Sequence, residues 1–254
     1  MPNNSLFTFM TRDKVLQPRG INDAWWINHS SYGKEHLCTE DSPSPYLAAN
    51  EWICGHIADF LRLGVPPFAL FREPRAGTYF ASLQFTPDKT PPGDTKPSAC
   101  WQYLPEKCTG VLLFDILVGN DDRRCDQMAV DDPRHPKVLT IFDHDQALFG
   151  AMLHEGGRRI KRLQTSDELA IAYHCFLDVI DSDQHFATWF NKLGSIPEWF
   201  LKEICDDAAV FDGVTKQETK AAAKLLIHRA HFMRDIVRNN RGQFSKIKRW
   251  GTLL

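Results

Sequence analysis

Residues 114–130 read FDILVGNDDRRCDQMAV, and residues 139–150 read LTIFDHDQALFG. In both stretches an apolar run leads directly into a group of charged and amide side chains. A carboxylate that follows a strongly β-prone run is costly to bury unless it has a role there. The polar segment DDPRHP at 131–136 separates two β-prone runs and is typical of a hairpin turn. The pattern therefore predicts two strands that bring acidic groups to one place.

The residue types in these stretches suit phosphoryl transfer. That reaction needs oxygen ligands that hold Mg²⁺ on the phosphates, and a carboxylate that orients the attacking hydroxyl. Asp122, Gln127 and Asp143 provide a loop acid, an amide five residues later and a second acid beyond the hairpin turn. Asp121 and Asp126 repeat the five-residue spacing, so the register of the loop stays open between Asp121 and Asp122.

Composition narrows the class of protein. The 254 residues suffice for one large domain or two lobes, and 43% apolar with 24% charged residues is typical of a soluble globular chain. The net charge of -2 does not favour nucleic acid as the main ligand. No apolar run is long enough to cross a bilayer, and the start MPNNSLFTFMTRDK lacks a secretory signal. The seven scattered cysteines lack zinc-like spacing, so we expect reduced thiols and a cytoplasmic protein.

The order of predicted elements favours an α+β fold. Strands are predicted at AWWI (24–27), EHLCTE (35–40), PPFALFRE and GTYFASLQF, with a helix over 43–64. The proline-rich stretch 86–99 is typical of a loop between lobes. We therefore expect a small mixed N-lobe at residues 1–88 and a mostly helical C-lobe at 89–254.

Three Ser/Thr-x-x-Glu patterns predict helix starts in the C-lobe. They begin at Thr165, Ser195 and Thr215, and each has a glutamate three residues later, as in a capping box. Pro197 suits the first turn of the second helix. The segment 111–119 is predicted to be an apolar helix end or another buried segment that runs into the acidic loop.

The loop pair resembles a known family. GNDDRRCDQ is similar to the catalytic loop of the HipA-like kinases and the related phosphatidylinositol 3- and 4-kinases, which runs Gly-Asn-x-Asp-Arg, three residues, then Asn. FDHDQALFG is similar to their metal-binding segment. NEWICGHIADFLRLGVPP resembles their N-lobe helix, and SIPEWFLKEI with LLIHRAHFMRDIV resembles their C-terminal bundle. The resemblance covers most of residues 20–240 and implies a two-lobed, protein-kinase-like α+β fold.

The resemblance also implies roles on the large-lobe side of a nucleotide cleft. Asp122 would be the catalytic acid that orients or deprotonates the substrate hydroxyl. Gln127 would stand where the family has a metal-binding Asn, and Asp143 would bind the Mg²⁺ that bridges the phosphates of ATP.

On the small-lobe side, the resemblance implies that Glu51 pairs with a lysine that contacts the phosphates. The strand at 35–40 contains no lysine, and Lys34 at its edge is the nearest candidate. FASLQF at 80–85 would form the hinge beside the adenine, which places Gln84 at the nucleotide.

The function implied is an ATP- and Mg²⁺-dependent phosphotransferase, a bacterial HipA-like Ser/Thr protein kinase with a protein substrate. The family includes toxin kinases that act with antitoxin partners, so an antitoxin-like partner is compatible with it. Three alternatives stay open: a nucleotide-binding pseudokinase, an interaction module without phosphotransfer, and an enzyme that transfers AMP. The basic run GGRRIKR (156–162) is typical either of a solvated face or of a surface for an acidic or phosphorylated partner, or for nucleic acid.

Overall fold

The structure is a computed structural model that describes residues 10–12, 23–29, 35–40, 45–73, 77–83, 95–152 and 155–251. Within these residues the strands are β1 (Met10–Arg12), β2 (Asp23–His29), β3 (Glu35–Glu40), β4 (Phe68–Glu73), β5 (Gly77–Leu83), β6 (Met128–Val130) and β7 (Leu139–Ile141). The helices are α1 (Leu47–Phe60), α2 (Pro97–Tyr103), α3 (Pro105–Val118), α4 (Gly156–Ser166), α5 (Phe186–Gly194), α6 (Glu198–Asp207) and α7 (Lys216–Asn239). None of the described helices combines the length and the apolar character that crossing a bilayer requires.

The strands within residues 10–83 form an antiparallel sheet with strand order β1-β2-β3-β5-β4. The pairing of β2 with β3 runs from Asp23 opposite Glu40 to Asn28 opposite Glu35, and β4 and β5 pair from Phe68 opposite Ser82. The four strands that the sequence predicts in this part of the chain are confirmed as β2, β3, β4 and β5. The predicted helix is α1, which is shorter at both ends than predicted.

The central helix of the large lobe is α3, in which every residue from 108 to 118 is buried. It ends at Gly119, whose φ of 65° lies in the left-handed region that ends helices without a Cβ clash. The prediction of an apolar helix end before the acidic loop is confirmed. The predicted loop 86–99 is too long, because α2 already begins at Pro97, where a proline suits the first helical turn. The predicted lobe boundary at residue 88 lies outside the described residues.

The predicted hairpin is present as β6 and β7, which pair from Met128 opposite Ile141 to Val130 opposite Leu139. It also contacts the chain that leaves α1, because the Ile141 N–H donates to the Gly64 carbonyl at 2.8 Å. A Cβ at Gly64 would lie 2.4 Å from the Leu139 carbonyl oxygen, so only glycine allows this close approach. The small-lobe helix is thereby joined to the acidic hairpin.

The three predicted helix starts have different outcomes. Thr215 begins α7 with a complete capping box: its hydroxyl accepts from the Glu218 N–H at 3.2 Å, and its own N–H donates to the Glu218 carboxylate at 2.9 Å. The start at Thr165 is wrong, because Thr165 lies in the last turn of α4 and its hydroxyl donates back to the Lys161 carbonyl. Short hydroxyl side chains bond to a preceding turn as readily as they cap a following one.

The second predicted helix is present close to the predicted position, but the predicted Ser195 capping box is absent. Helix α6 begins at Glu198, and Pro197 is its N-cap residue and not part of the first turn. Ser195 does not cap this helix, because its hydroxyl donates to the Lys192 carbonyl at 2.7 Å and so closes the end of α5.

A buried ion-pair network fixes the chain just after α3. The guanidinium of Arg123 donates to both carboxylate oxygens of Asp115, at 2.9 and 3.0 Å. His174 lies 3.0 Å from the same carboxylate, and its Nδ1 accepts from the Phe176 N–H, so the proton is assigned to the Nε2 that faces Asp115. The side chains of Asp115, Arg123 and His174 are fully buried.

The charges in this network hold the carboxylate ionised. Burial alone would raise the pKa of Asp115, but the charge of Arg123 and the hydrogen bonds from His174 and Arg123 lower it well below its usual value. Because the folded-state pKa is the lower one, the ionised form stabilises the fold at every pH above the unfolded-state value of about 3.9. That stabilisation is lost as the pH falls toward the folded-state pKa.

We predict that Asp115→Asn lowers the free energy of unfolding by roughly 3–5 kcal/mol, because Arg123 is then left buried without its counter-charge. Urea denaturation at pH 7 measures this. The loss should persist at pH 5 and shrink only below about pH 4. The control is Glu198→Gln, which removes an exposed pair with Lys202 and should barely change the denaturation midpoint. Equal effects of the two substitutions would contradict the prediction.

Candidate functional site

The acidic loop begins where α3 ends, and Asn120 sets its first turn. The Asn120 side-chain amide donates to the Asp115 carboxylate at 3.0 Å, and its backbone N–H donates to the Asp115 carbonyl at 2.9 Å. The Asp122 N–H in turn donates to the Asn120 side-chain oxygen at 3.4 Å. Asn120 therefore points inward, while the side chains of Asp121 and Asp122 are about 40% and 36% exposed.

Arg124 lies between the acids of the loop. Its guanidinium contacts the Asp122 carboxylate at 2.6 Å and the Asp126 carboxylate at 3.1 Å, and 49% of its side chain is exposed. Slight burial lowers the pKa of Arg124, but the charges of Asp122, Asp126 and Asp143 outweigh it and raise the pKa. Arg124 is not among the predicted site residues. Its position between Asp122 and Asp126 in the sequence was the available signal.

The two acidic stretches meet at Gln127 and Asp143. The Gln127 amide Nε2 donates to the Asp143 carboxylate at 3.0 Å, and its Oε1 accepts from the Arg124 N–H at 2.9 Å. Asp143 has a φ of 62°, a left-handed conformation in which Asp is better tolerated than most residues. Gln127 thus turns its NH₂ group toward Asp143 and its oxygen toward the loop backbone.

Asp143 is a half-buried carboxylate whose direct side-chain partner is the neutral amide of Gln127. Burial raises its pKa, the nearby charge of Glu51 raises it further, and the hydrogen bond from Gln127 opposes both effects. A carboxylate whose pKa is raised by a second carboxylate nearby favours a bound cation, since the cation removes the cost of keeping both ionised. This is the position at which the sequence predicts a metal.

Glu51 contacts the segment that contains Asp143 directly. Its carboxylate accepts from the His144 backbone N–H and lies 3.1 Å from the His144 Nδ1. The helix α1 is thereby tied to the residue that follows Asp143. The predicted partner Lys34 and the predicted hinge residue Gln84 lie outside the described residues, so their roles stay predictions.

Asn50, next to Glu51 on α1, ties the rest of the same segment to the helix. Its amide donates to the carbonyls of Asp145 at 2.7 Å and Gly150 at 3.3 Å, and its oxygen accepts from the Phe149 N–H at 3.2 Å. Asn50 is fully buried. Asn50 is not among the predicted site residues, although an amide among the apolar positions of a buried helix was a usable signal.

Arg159, on α4, contacts both segments of the candidate site. Its Nη2 donates to the Gly119 carbonyl at 2.7 Å and the Gln146 carbonyl at 2.9 Å, and it lies 3.5 Å from the Asp121 carboxylate. It therefore connects α4 to both the acidic loop and the segment that contains Asp143. The basic run 156–162, to which Arg159 belongs, is typical of an exposed surface, but only 16% of the Arg159 side chain is exposed.

The donors at this place fit a metal that arrives with a nucleotide. Among the described residues, no three His, Cys, Asp or Glu side chains form a group that could hold a metal ion by themselves. Mg²⁺ on a nucleotide needs only one or two protein carboxylates, because phosphates and water supply its other ligands. Asp143 can provide such a carboxylate, and Gln127 can contribute its oxygen once its side chain rotates.

Comparison with known proteins identifies the fold. No family model matches the chain, and no curated protein sequence matches it. The chain is similar in structure to the Helicobacter pylori proinflammatory kinase CtkA, with a TM-score of 0.58, 14% sequence identity, and coverage of 89% of this chain and 96% of that one.

A second similar structure is the Shewanella oneidensis MR-1 toxin–antitoxin protein HipA, in complex with HipB and operator DNA. Its TM-score is 0.44 with 12% identity, over 91% of this chain and 67% of that chain, and at this level the similarity supports no argument. Membership of the HipA-like family therefore stays a prediction from the loop motif. The match to CtkA at near-complete coverage of both chains shows that this α+β chain has a protein-kinase-like fold.

Proposed function

We propose that this protein is an ATP- and Mg²⁺-dependent phosphotransferase that acts on a Ser or Thr hydroxyl of a protein. The observation that supports this most directly is the contact of Gln127 with Asp143 at 3.0 Å, which unites the two acidic stretches in a kinase-like fold. The protein acceptor, membership of the HipA-like group and an antitoxin-like partner rest on the loop motif. In this proposal Lys34 contacts the phosphates of ATP, and Gln84 lies in the hinge beside the adenine.

In this proposal each side chain has one task. Asp143, with Gln127, holds the metal, and bound Mg²⁺ would neutralise the charge that develops on the transferred phosphoryl group. Glu51 keeps the segment around Asp143 in place through His144. Asp122 accepts a hydrogen bond from the attacking hydroxyl and takes its proton as the new oxygen–phosphorus bond forms and the bond from the γ-phosphorus to ADP breaks, so that ADP leaves.

The contacts of the two neighbouring acids favour Asp122 as the catalytic residue. Asp121 lies beside Arg159, which is mostly buried and also bonded to two backbone carbonyls. The partner of Asp122 is Arg124, whose half-exposed side chain can move away without breaking a buried network. A substrate hydroxyl can therefore replace Arg124 at Asp122 more easily than it can replace Arg159 at Asp121.

The metal role of Asp143 is testable without an assay of turnover. Wild type should gain roughly 5 °C in melting temperature with saturating ATP and Mg²⁺, because ligand binding stabilises the folded state. Asp143→Asn should not gain the part of this shift that depends on Mg²⁺. Without ligand, its melting temperature should equal or exceed that of wild type, because the substitution removes a half-buried carboxylate whose pKa is raised.

Asparagine suits this test because it tolerates the left-handed backbone at position 143. The matched control is Asp132→Asn, an exposed acid in the hairpin turn, which should respond to ATP and Mg²⁺ as wild type does. An unchanged Mg²⁺ response in Asp143→Asn would contradict the metal assignment.

The choice between the two loop acids is tested by transfer of labelled phosphate from ATP to a bacterial protein extract. We expect Asp122→Asn to lower the transfer rate by about 100-fold or more, because a missing general base typically costs 10²–10⁴-fold. Asp121→Asn should keep at least about one tenth of the rate, since its partner Arg159 retains two other bonds. The reverse order of the two variants would assign the catalytic role to Asp121.

A nucleotide-binding pseudokinase is a second candidate, which one observation favours. Gln127 presents its NH₂ group, and not its oxygen, to Asp143. Under this alternative ATP would raise the melting temperature equally with and without Mg²⁺, and no label would reach any protein. A Mg²⁺-dependent shift together with phosphate transfer would exclude it. Intact-mass analysis of labelled protein separates a phosphoryl from an adenylyl adduct and so tests AMP transfer.

A further inference from the structure

A groove lies between helices α4 and α7, apart from the acidic loop. The two helices are joined there by Gln164, whose side-chain amide donates to the Ala221 carbonyl at 3.2 Å. The volume of the groove is about 470 Å³. Its lining is formed by Gln164, Lys216, Gln217, Lys220, Ala221 and Lys224, and contains no acidic side chain.

Three exposed lysines form a row along one edge of this groove. Lys216, Lys220 and Lys224 are four residues apart on α7, so neighbouring members are about 6 Å apart along the helix axis. Across the part of the chain that the structure describes, none of the three forms an ion pair, whereas Lys192 and Lys202 pair with glutamates at 2.7 and 2.9 Å. The row is therefore a set of uncompensated positive charges.

The fold gains no stability from this arrangement. Like charges four residues apart on a helix repel each other, and Lys216 also lies at the positive N-terminal end of the helix dipole. The nearest acid in the sequence, Glu218, is engaged by the Thr215 cap and by the Tyr46 hydroxyl at 2.9 Å. An anionic ligand would relieve the repulsion that the chain itself leaves uncompensated.

We propose that the α4–α7 groove binds an extended acidic segment of a partner protein. In an extended strand, alternate side chains point to the same side and are about 6.6 Å apart, which is close to the 6 Å spacing of the lysines. Acids at every second position would therefore each meet one lysine. The amides of Gln164 and Gln217 would then donate to the backbone carbonyls of the bound strand.

Two observations favour a peptide over nucleic acid. The groove lining contains no aromatic ring, so it offers no platform on which bases could stack. The net charge of the chain is -2, so there is no general attraction for a polyanion. The groove is also separate from the acidic loop: Arg159 reaches that loop from α4, while Gln164 reaches α7. The proposal therefore does not depend on phosphotransfer.

Fluorescence anisotropy with labelled peptides tests the proposal on the full chain, without nucleotide. The probe is a heptapeptide of alternating Glu and Ser, compared with a block isomer of the same composition and with a short single-stranded oligothymidylate. Wild type should bind the alternating peptide saturably, more tightly than either comparison probe, and more weakly as salt is raised.

Lys220→Glu/Lys224→Glu should weaken this binding by about 10-fold or more, because it reverses two of the three contacting charges. The control Lys202→Glu/Lys246→Glu makes the same change in net charge at exposed positions elsewhere, and should change the affinity less than about 2-fold. Absence of saturable binding, or equal losses in the two variants, would overturn the proposal. Preferred binding of oligothymidylate would identify the groove as a nucleic-acid surface. Equal binding of the block isomer would contradict the proposed match between acids at alternate positions and the spacing of the lysines.

Discussion

The buried pair of Asp115 and Arg123 is the interaction on which the candidate site depends. The Nε and Nη2 atoms of Arg123 donate to the Asp115 carboxylate. Its Nη1 donates to the backbone carbonyls of Phe142 at 2.6 Å and Gln127 at 3.3 Å. One side chain therefore connects α3, the acidic loop, the residue before β6 and the residue after β7. A guanidinium suits this place because its fixed fork of donors satisfies a carboxylate and two carbonyls at once. The pair adds to the other contacts between the two acidic segments, such as the hydrogen bond from Gln127 to Asp143.

Around this fixed centre the remaining charges are less well compensated. Glu51 has the backbone N–H and the ring of His144 as hydrogen-bond partners, and Asp121 lies beside Arg159, but Asp143 has only an amide as its direct partner. Perturbed acids that lack a full counter-charge are common at functional sites, because such a site is completed by its ligand. The unevenness is greatest at Asp143, whose pKa is raised by burial and by the nearby charge of Glu51.

The sequence was most informative where a local pattern has only one structural solution. The apolar run before Gly119, the turn between β6 and β7 and the Thr215 capping box all follow from short-range chemistry. It was least informative where a side chain had two competing partners: Thr165 and Ser195 bond to the preceding helix turn instead of capping the next helix. A Ser/Thr-x-x-Glu pattern alone cannot decide between a bond to the preceding turn and a cap on the next helix, because the two differ little in energy.

The sequence by itself determined the α+β plan, the hairpin and the fact that two groups of oxygen-bearing side chains follow apolar runs. Only the tertiary structure decided which side chains meet: that Glu51 contacts His144, that Asn50 holds the segment up to Gly150, and that Arg159 points inward from a basic run. These contacts join residues that are far apart in sequence. Their geometry depends on how α1, α3 and α4 pack together, and packing is a property of the whole core that no local pattern contains.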